Sequence, residues 1–538
     1  MDIGSARDGA TADQMIGIEH RNSLAISQLP TELLLGILWL ALPEIRFSTR
    51  YVEILARSYM RTICRMRSVT KRWQVVIEGT PSFWTLLSNT FPSHVNKTNI
   101  LRSSELPLMV LYQGSKIVDE GEYPTEYLSA AKFLRHIAST RLRWSTVALD
   151  FHYRTIMSDY LGAPLPLLRE VVVRSSRDGN QFAEPEELLG GETTNLRVLK
   201  VSGVSIDWQM GCFVQLKSLT LKNLSDDSLT GSQLLNMLDA SPGLQVLNLK
   251  GFSMHIPPPS PIITLHHLKY LKLHSCAIQL VEWICHQILA PSCTKVVLSM
   301  DGEQVFDVPR FLNETLKPFH GILRSIHRQL GNSEIELDSD GIKWYGFDYT
   351  RDGRGLCVFI EGFFDPLFFQ WVNHILQDEP GLQITFSNGA TSNEAVLRSL
   401  ALMRNVTKVE IDLSWQGGGI SEALQFLGRP LSTTTSLPSL PCVREVEIPP
   451  GDWDVQEVLN MVQSRFHAFL REGVEEPLST IKVHRGTFIS ISVPRSILHL
   501  TSLVKIRQAS GVKRLQIEGW KDPKGMLAVV WDEEISKP

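Results

Sequence analysis

Histidines and cysteines in the middle of the chain are the side chains whose types could bind a metal ion. His266 and His267 are adjacent, Cys285 directly precedes His286, and Cys293 follows on the same stretch. Structural zinc sites pair thiolates or imidazoles at characteristic short spacings, and these residues do not have them. We interpret them as core thiols and surface imidazoles, and we predict no metal and no cofactor.

Phosphate binding and nucleophilic catalysis also leave recognisable patterns. Gly417, Gly418 and Gly419 precede a helix-like segment and could seat an anion on free N–H groups, but we interpret them as a turn between two structural elements. The sequence contains no G-x-x-x-x-G-K-[ST], G-x-S-x-G or H-E-x-x-H pattern. We therefore predict a protein that is not an enzyme.

Composition narrows the class of protein further. The 538 residues are 43% hydrophobic and 20% charged, which predicts a large core and more than one structural unit. With 53 basic and 57 acidic residues the formal net charge is −4, so no overall attraction to nucleic acid or membranes is expected. Seven cysteines without a C-x-x-C pair are typical of a reducing compartment. We predict a cytoplasmic or nuclear protein.

The segment Leu29 to Leu42, LPTELLLGILWLAL, poses a burial problem. It predicts a helix that begins near Pro30 and ends before Pro43, preceded by a polar, disordered lead-in over residues 1–24. At 100° per residue its apolar side chains occupy every side of the helix, so it needs cover on more than one side. That cover comes either from the rest of the chain or from another protein.

A second segment, SVTKRWQVVIEGTPSFW from Ser68 to Trp84, accompanies the first, with further short helices expected between them. Together the two segments resemble the F-box motif in its fungal form, an LPxEL helix followed by a V-C-K-R-W segment and a TPxLW ending. Thr70 stands at the usual Cys position. The matching residues are Leu29, Pro30, Glu32, Leu33, Ile37, Leu38, Val69, Lys71, Arg72, Trp73, Ile77, Thr80, Pro81 and Trp84.

The resemblance implies docking onto the Skp adaptor subunit of a Skp-cullin-F-box ubiquitin ligase. The adaptor-binding residues that it implies are Leu29, Pro30, Leu33, Ile37, Leu38, Val69 and Trp73. Trp84 is expected in the domain's own core, and Trp39 on the inward side of the first helix.

From Trp144 onward a short apolar pattern recurs at intervals of about 20 to 37 residues, the period of leucine-rich repeats. Each copy predicts a strand whose second and third apolar residues point into the core while the residue between them points outward. The copies are WSTVAL at 144, LREVVV at 168, LRVLKV at 196, LKSLTL at 216, LQVLNL at 244, LKYLKL at 268, CTKVVL at 293, GLQITF at 381, VTKVEI at 406, VREVEI at 443, LSTIKV at 478 and VKRLQI at 512.

The array predicts an α/β fold: a small helical F-box followed by a leucine-rich-repeat solenoid with a curved, mainly parallel sheet. Cys276 occupies the polar position of its repeat. Around residues 300–380 the pattern is irregular, with a hairpin predicted from IKWYGFDY and LCVFIEG and a helix from FFDPLFFQWVNHILQ. The predicted domains are 25–88 (F-box), 89–142 (a connection that includes the strand ELPLMVLY) and 143–538 (the repeats).

Outward-facing strand positions carry charge of opposite sign in the two halves of the array. The second half presents mostly acidic residues, relieved by three cations: Glu410, Asp412, Glu445, Glu447 and Glu518, with Lys408, Lys482 and Arg514. Such residues either keep the sheet face solvated or bind a client protein that is acidic or phosphorylated. The client-binding candidates of the first, basic half are Arg174, Lys200, Lys222, Lys250, Tyr270, Lys272 and His274.

These observations and the resemblance together predict a substrate-recognition subunit of a Skp-cullin-F-box ubiquitin ligase. It would bind the Skp adaptor, and through it a cullin, with its F-box, and a client with its repeats. The alternative is a leucine-rich-repeat scaffold without a ligase role, in which the N-terminal helices cap the array.

Overall fold

The computed structural model describes residues 28–45, 52–114, 123–151, 158–162, 164–175, 195–204, 206, 208, 213–224, 229–251, 261–300, 310–330, 333–338, 341–347, 355–361, 366–376, 379–387, 394–411, 419–430, 437–448, 455–473, 478, 480–484, 514–518 and 530–532. The proposed lead-in, residues 1–24, lies outside them. The chain divides into two compact units, Met1–Leu219 with Asn223–Leu229, and Thr220–Lys222 with Thr230–Pro538.

The described part of the first unit begins with helices. The first of them, α1, begins directly after Pro30 and ends at Leu40, as predicted, and the N–H of Ala41 closes its last turn on the carbonyl of Ile37. In the third, the Thr70 hydroxyl accepts a hydrogen bond from the N–H of Trp73 (3.1 Å) and caps the helix. The helices are α1 Thr31–Leu40, α2 Val52–Arg67, α3 Lys71–Glu78, α4 Ser93–Arg102, α5 Tyr123–Ile137 and α6 Ser158–Leu161, with 3-10 turns at Pro81–Trp84 and Ala138–Arg143.

Five parallel strands form the sheet of the first unit. They pair in chain order, so that Leu87 lies beside Val110 and Val147 beside Val171. The strands are β1 Leu86–Ser88, β2 Leu108–Gln113, β3 Trp144–Phe151, β4 Glu170–Ser175 and β5 Val198–Ser202. Strand β2 is the opening strand predicted from ELPLMVLY, whereas the short β1 was not predicted.

One buried cluster joins the helices to these strands. Leu34 and Leu38 of α1 belong to it together with Leu111 of β2 and Val172 of β4. Within the first unit, therefore, helices α1 to α3 pack on the sheet and share its core.

Trp84 anchors this junction. It is 2% exposed, and its indole N–H donates to the carbonyl of Ile77 at 2.9 Å. The guanidinium of Arg102 lies 4.6 Å from its ring centroid, and Arg67 binds the carboxylate of Glu78 beside it. The core position predicted for Trp84 is confirmed.

The second unit alternates strands and helices. Its helices are α7 Gly231–Asp239, α8 Ile278–Gln287, α9 His320–Leu330, α10 Pro366–Leu376, α11 Glu394–Ala401, α12 Gly419–Gly428 and α13 Val455–Glu472. Its strands are β7 Val246–Lys250, β8 Ile263–Thr264, β9 Tyr270–Cys276, β10 Ile288–Leu289, β11 Lys295–Met300, β12 Ser333–Asp338, β13 Gly341–Phe347, β14 Gly355–Glu361, β15 Leu382–Phe386, β16 Val406–Ile411, β17 Glu445–Ile448, β18 Thr480–His484, β19 Arg514–Glu518 and β20 Val530–Asp532; β6, Ser218–Lys222, lies where the two units divide.

The main sheet of the second unit has the strand order β7-β9-β11-β14-β13-β12-β15-β16-β17-β18-β19-β20. All pairs are parallel except those made by β13 and β20. Strands β8 and β10 form a separate parallel pair. The fold is thus mixed α/β with a large, mostly parallel sheet, which confirms the predicted class at this level.

Each of the twelve repeat motifs coincides with a strand, and the helix predicted from FFDPLFFQWVNHILQ is α10. Burial follows the expected alternation: in β7, Leu247 and Leu249 are fully buried while the residues on either side of each are half-buried. Cys276 is buried with its Sγ 3.6 Å from the carbonyl oxygens of Leu249 and His274, as expected at the polar repeat position.

The irregular middle contributes three strands. The predicted hairpin is present as β13 and β14, which pair antiparallel, although its turn lies outside the described residues. Strand β12, SEIELD, was missed although its apolar Ile335 and Leu337 alternate with charged residues, the pattern of a half-buried strand. No described helix is long and apolar enough to cross a membrane.

A buried histidine ties α9 to this middle sheet. His327 is 2% exposed, and its Nδ1 lies 2.8 Å from the hydroxyl of Ser333, which also accepts a hydrogen bond from the indole of Trp344 at 2.9 Å. Because the Ser333 hydroxyl can then donate to Nδ1, the network fits a neutral imidazole. Burial lowers the pKa of His327, although the Glu379 carboxylate and a hydrogen bond to the Pro380 carbonyl act in the opposite direction.

The lowered pKa makes the stability of the second unit depend on pH. The unfolded chain takes up this proton at a higher pH than the folded chain, so the stabilisation is fully present above the ordinary histidine pKa and is lost as the pH falls toward the folded value. We expect the unfolding temperature to drop from about pH 7.5 to about pH 5.5, and His327→Gln to flatten that dependence. Thermal melts followed by circular dichroism measure it, with exposed His267→Gln as the matched control. Parallel pH profiles for His327→Gln and wild type would contradict the assignment.

Candidate interaction surfaces

Helix α1 has one side buried and one side bare. Leu34 and Leu38 are fully buried, whereas Leu33, Ile37 and Leu40 are 58%, 46% and 88% exposed. The three exposed residues are spaced by four and then three positions, so they form one stripe along the helix. We call Leu33, Ile37 and Leu40 the apolar stripe.

Among the described residues, this side of α1 is uncrowded at Gly36. A Cβ placed on Gly36 would meet no atom within 4 Å. The only charged residue within α1 is Glu32 in its first turn. A helix side of this kind, apolar and uncharged, is typical of a surface that a partner covers.

The start of α1 is held by α3. The Arg72 guanidinium donates to the carbonyl of Leu29, which is itself half-buried. Val69 and Val75, three positions before and after Arg72, are 56% and 61% exposed. Two more exposed apolar residues therefore lie close in sequence to the α1–α3 contact.

The structure sorts the predicted adaptor-binding residues into three groups. Pro30, Leu33, Ile37 and Val69 are exposed. Leu29 and Trp73 are half-buried, and Trp73 packs against the core cluster of the first unit. Leu38 is fully buried.

Two expectations for α1 are corrected. Leu38 cannot contact a partner, because it lies in the core one turn after Leu34. Trp39 is not on the inward side: it is 43% exposed, with its ring stacked on Phe83 at 4.8 Å.

Two exposed apolar residues, Leu40 and Val75, were not predicted from the sequence. The spacing from Leu33 and Ile37 pointed to Leu40, whereas nothing in the sequence distinguished Val75 from its neighbour Val76.

The predicted client-binding residues divide between the two units. Arg174 and Lys200 belong to the first, and Lys200 forms an ion pair with Glu170 at 3.0 Å on a nearby strand. Lys200 is therefore not an uncompensated charge, which corrects the view of it as one of a set of lysines awaiting an anion. The others, Lys222, Lys250, Tyr270, Lys272 and His274, belong to the second unit.

In the second unit the cations lie on neighbouring strands. Lys250 pairs in register with His274, and Tyr270 pairs with Lys295, whose ammonium lies 5.2 Å from the Tyr270 ring centroid. Within the described residues, neither Lys250 nor Lys272 forms an ion pair. We call this cluster the basic end; it comprises Lys222, Lys250, Lys272, His274 and Lys295.

These groups lie close enough to shift one another's pKa. Burial and then repulsion by Lys250 and Lys295 lower the pKa of Lys272, although Cys357 opposes the shift. Burial and the nearby lysines also lower the pKa of His274, so its imidazole is neutral at physiological pH. An anion at the basic end would reduce this mutual repulsion.

Carboxylates gather on strands further along the same sheet. Lys408 lies 2.6 Å from Glu447, 3.2 Å from Glu410 and 3.8 Å from Glu445, and Lys343 lies 3.3 Å from Glu336. Burial, opposed by hydrogen bonds from Thr385 and Tyr345, raises the pKa of Glu334. We call this cluster the acidic end; it comprises Glu334, Glu336, Glu410, Glu445 and Glu447, five carboxylates around two lysines.

The possible metal ligands of the sequence do not form a site. Cys285 and Cys293 are buried, and burial raises the pKa of the Cys293 thiol to about 11. His286 is exposed and bonds the carbonyl of Glu282. Among the described residues, no group of three or more His, Cys, Asp and Glu side chains could hold a metal ion.

Comparison with known proteins adds no relative: no family model matches the chain, and no curated protein matches it. The features of the chain that bear on its function are the two surfaces described above, the apolar stripe of α1 and the charged face of the second unit.

Proposed function

We propose that this chain is a non-enzymatic substrate-recognition subunit of a Skp-cullin-F-box ubiquitin ligase. The observation that carries the proposal is the apolar stripe, three large apolar side chains exposed on a helix whose other side is anchored in the core. Covering a side chain of this size contributes about 1.5–3 kcal/mol. Because Leu33 and Ile37 are already partly covered, a partner that covers all three gains part of the free energy that specific docking requires.

The position of the stripe supports an F-box-like role. It lies on the helix whose LPTELLLGILWLAL sequence resembles the first F-box helix, and Arg72 of the matching second segment holds the start of that helix. The proposed docking surface is Pro30, the apolar stripe, and Val69 and Val75 at the two sides of Arg72. The proposed partner is a Skp-type adaptor and, through it, a cullin, in the cytoplasm or the nucleus.

The repeats would then bind the client. Leucine-rich repeats present an exposed sheet face, and outward residues of β7, β9 and β11 give part of it a positive charge. Acidic or phosphorylated segments suit such a surface. In this role the chain needs no catalytic group, nucleic acid or membrane, because other subunits transfer ubiquitin.

A repeat scaffold without a ligase role is the second candidate, and one observation favours it. The buried side of α1 shares a core cluster with Leu111 and Val172 of the first sheet, as expected of helices that cap an array. Capping explains the buried side of α1 but leaves the apolar stripe without a function.

Charge introduced into the stripe tests the proposal. Leu33→Asp with Ile37→Asp should abolish co-purification with a Skp adaptor, weakening it by at least about 100-fold, because two apolar contacts are replaced by charges that docking would bury. The unfolding temperature should stay near that of wild type, since both side chains are exposed. Leu101→Asp, 79% exposed on α4, is the matched control and should retain the adaptor. If wild type itself does not bind the adaptor, the scaffold is favoured.

Hydrogen exchange locates the contact independently. On addition of the adaptor, amides in α1 and α3 should exchange more slowly, because covered helix ends open less often. Strands of the second unit should be unchanged. Protection confined to the second unit, or none anywhere, would contradict docking through α1.

A further inference from the structure

The basic and acidic ends occupy one face of one sheet. Hydrogen-bonded register aligns outward positions of successive strands in a single row across the second unit. In order, the row is Asn248, Lys272, Val297, Cys357, Tyr345, Glu334, Gln383, Lys408 and Glu445.

The middle of this row carries no charge. Val297, Cys357 and Tyr345 are half-buried. Burial raises the pKa of the Cys357 thiol to about 11 despite the neighbouring Lys272 and Lys343, so the thiol stays protonated. The Tyr345 hydroxyl hydrogen-bonds Glu334. Along this row, therefore, uncharged side chains separate Lys272 from Glu334, while Lys295 of β11 and Lys343 of β13 lie two residues away from the row on the same strands.

We propose that this face binds one extended client segment that runs across the strands, with acidic residues over the basic end, neutral residues over the middle and basic residues over the acidic end. The inference rests on the proposed role as a client receptor and specifies what the client must look like. Its basis is charge complementarity between one chain segment and two oppositely charged clusters.

The sheet sets the spacing of the segment. Lys272 on β9 and Glu334 on β12 are separated by four strand intervals, because β11, β14 and β13 lie between β9 and β12. At about 4.8 Å per interval the separation is about 19 Å, which about six extended residues span. The acidic and basic parts of the client should therefore stand about six residues apart.

A ligand of one sign would use only half of this surface. Ionic screening acts over about 8 Å at physiological salt, so a short acidic peptide at the basic end gains or loses little from carboxylates about 19 Å away. A segment that reaches both ends gains from both. The order of the charges therefore matters as well as their number.

Two fluorescein-labelled peptides of identical composition test the proposal against the full-length chain. One has a glutamate block, about six neutral residues and an arginine block; the other has the same residues with the charges interleaved. In fluorescence anisotropy at physiological salt, we expect the segregated peptide to bind at least about tenfold more tightly, since only it places each sign over its complement.

Charge-reversal variants test whether the basic end and the acidic end each bind the peptide. Lys272→Glu and, separately, Glu410→Lys should each weaken the segregated peptide by about tenfold. Lys317→Glu and Glu314→Lys, exposed residues outside the sheet, are the matched controls and should leave binding unchanged. Glu410 accepts hydrogen bonds from neighbouring side chains, so Glu445→Lys provides a second variant if Glu410→Lys unfolds.

Equal affinity for the two peptides would overturn the inference, as would the absence of binding by either. Neither result would affect adaptor docking, which is measured on α1 without any client. Loss of adaptor binding together with a preserved preference for the segregated peptide would instead refute the ligase role while the charge-ordered face stands.

Discussion

Alternation along short strands is the constraint on which the rest of this structure depends. A five-residue strand such as β7 has only two core positions, Leu247 and Leu249, and buries too little apolar surface to persist alone. It is stable only when it pairs with a neighbouring strand, as β7 does with β9, so strands of this kind occur only within a larger sheet. The same alternation leaves the residues between the core positions on the opposite face. The core and the charged face are therefore two consequences of one pattern.

Helix α1 differs from the strands because its sequence has no regularly spaced polar residues. Its apolar residues surround the axis, yet packing against one sheet and two helices covers only one side of it. Leu34 and Leu38 take the covered positions, and the Trp39 ring closes part of the next side by stacking on Phe83. The remaining stripe stays exposed, and a contiguous exposed apolar surface often marks an interaction site.

Features that depend on residues close together in the sequence could be predicted, whereas features that depend on tertiary contacts could not. All twelve repeat strands were predicted because alternation is local, and α1 was placed because Pro30 and Pro43 mark its limits. The predicted orientation of α1 was wrong at Leu38 and Trp39, because a helix with apolar residues on all sides does not show in its sequence which side packs on the core. The pairing of Lys200 with Glu170 was also out of reach, because it joins residues from neighbouring strands rather than from one motif. Local sequence patterns were enough to predict strands and helices. Which charged side chains form ion pairs depends on contacts between strands, and the sequence does not show it.

The order of the three middle strands determines whether the charged ends remain separate. Had β12, β13 and β14 entered the sheet in chain order, β12 would lie beside β11, and its Glu334 and Glu336 would face the strand of Lys295. The observed order is reversed: β14 adjoins β11, and β12 adjoins β15. The uncharged Cys357 thus lies next to the cations, while the carboxylates of β12 join those of β16 and β17 across β15. Because neighbouring strands are only about 4.8 Å apart, the unreversed order would have let opposite charges neutralise one another within the sheet. The reversal therefore keeps the two signs apart along the row from Lys272 to Glu334, the property that a charge-ordered client segment requires.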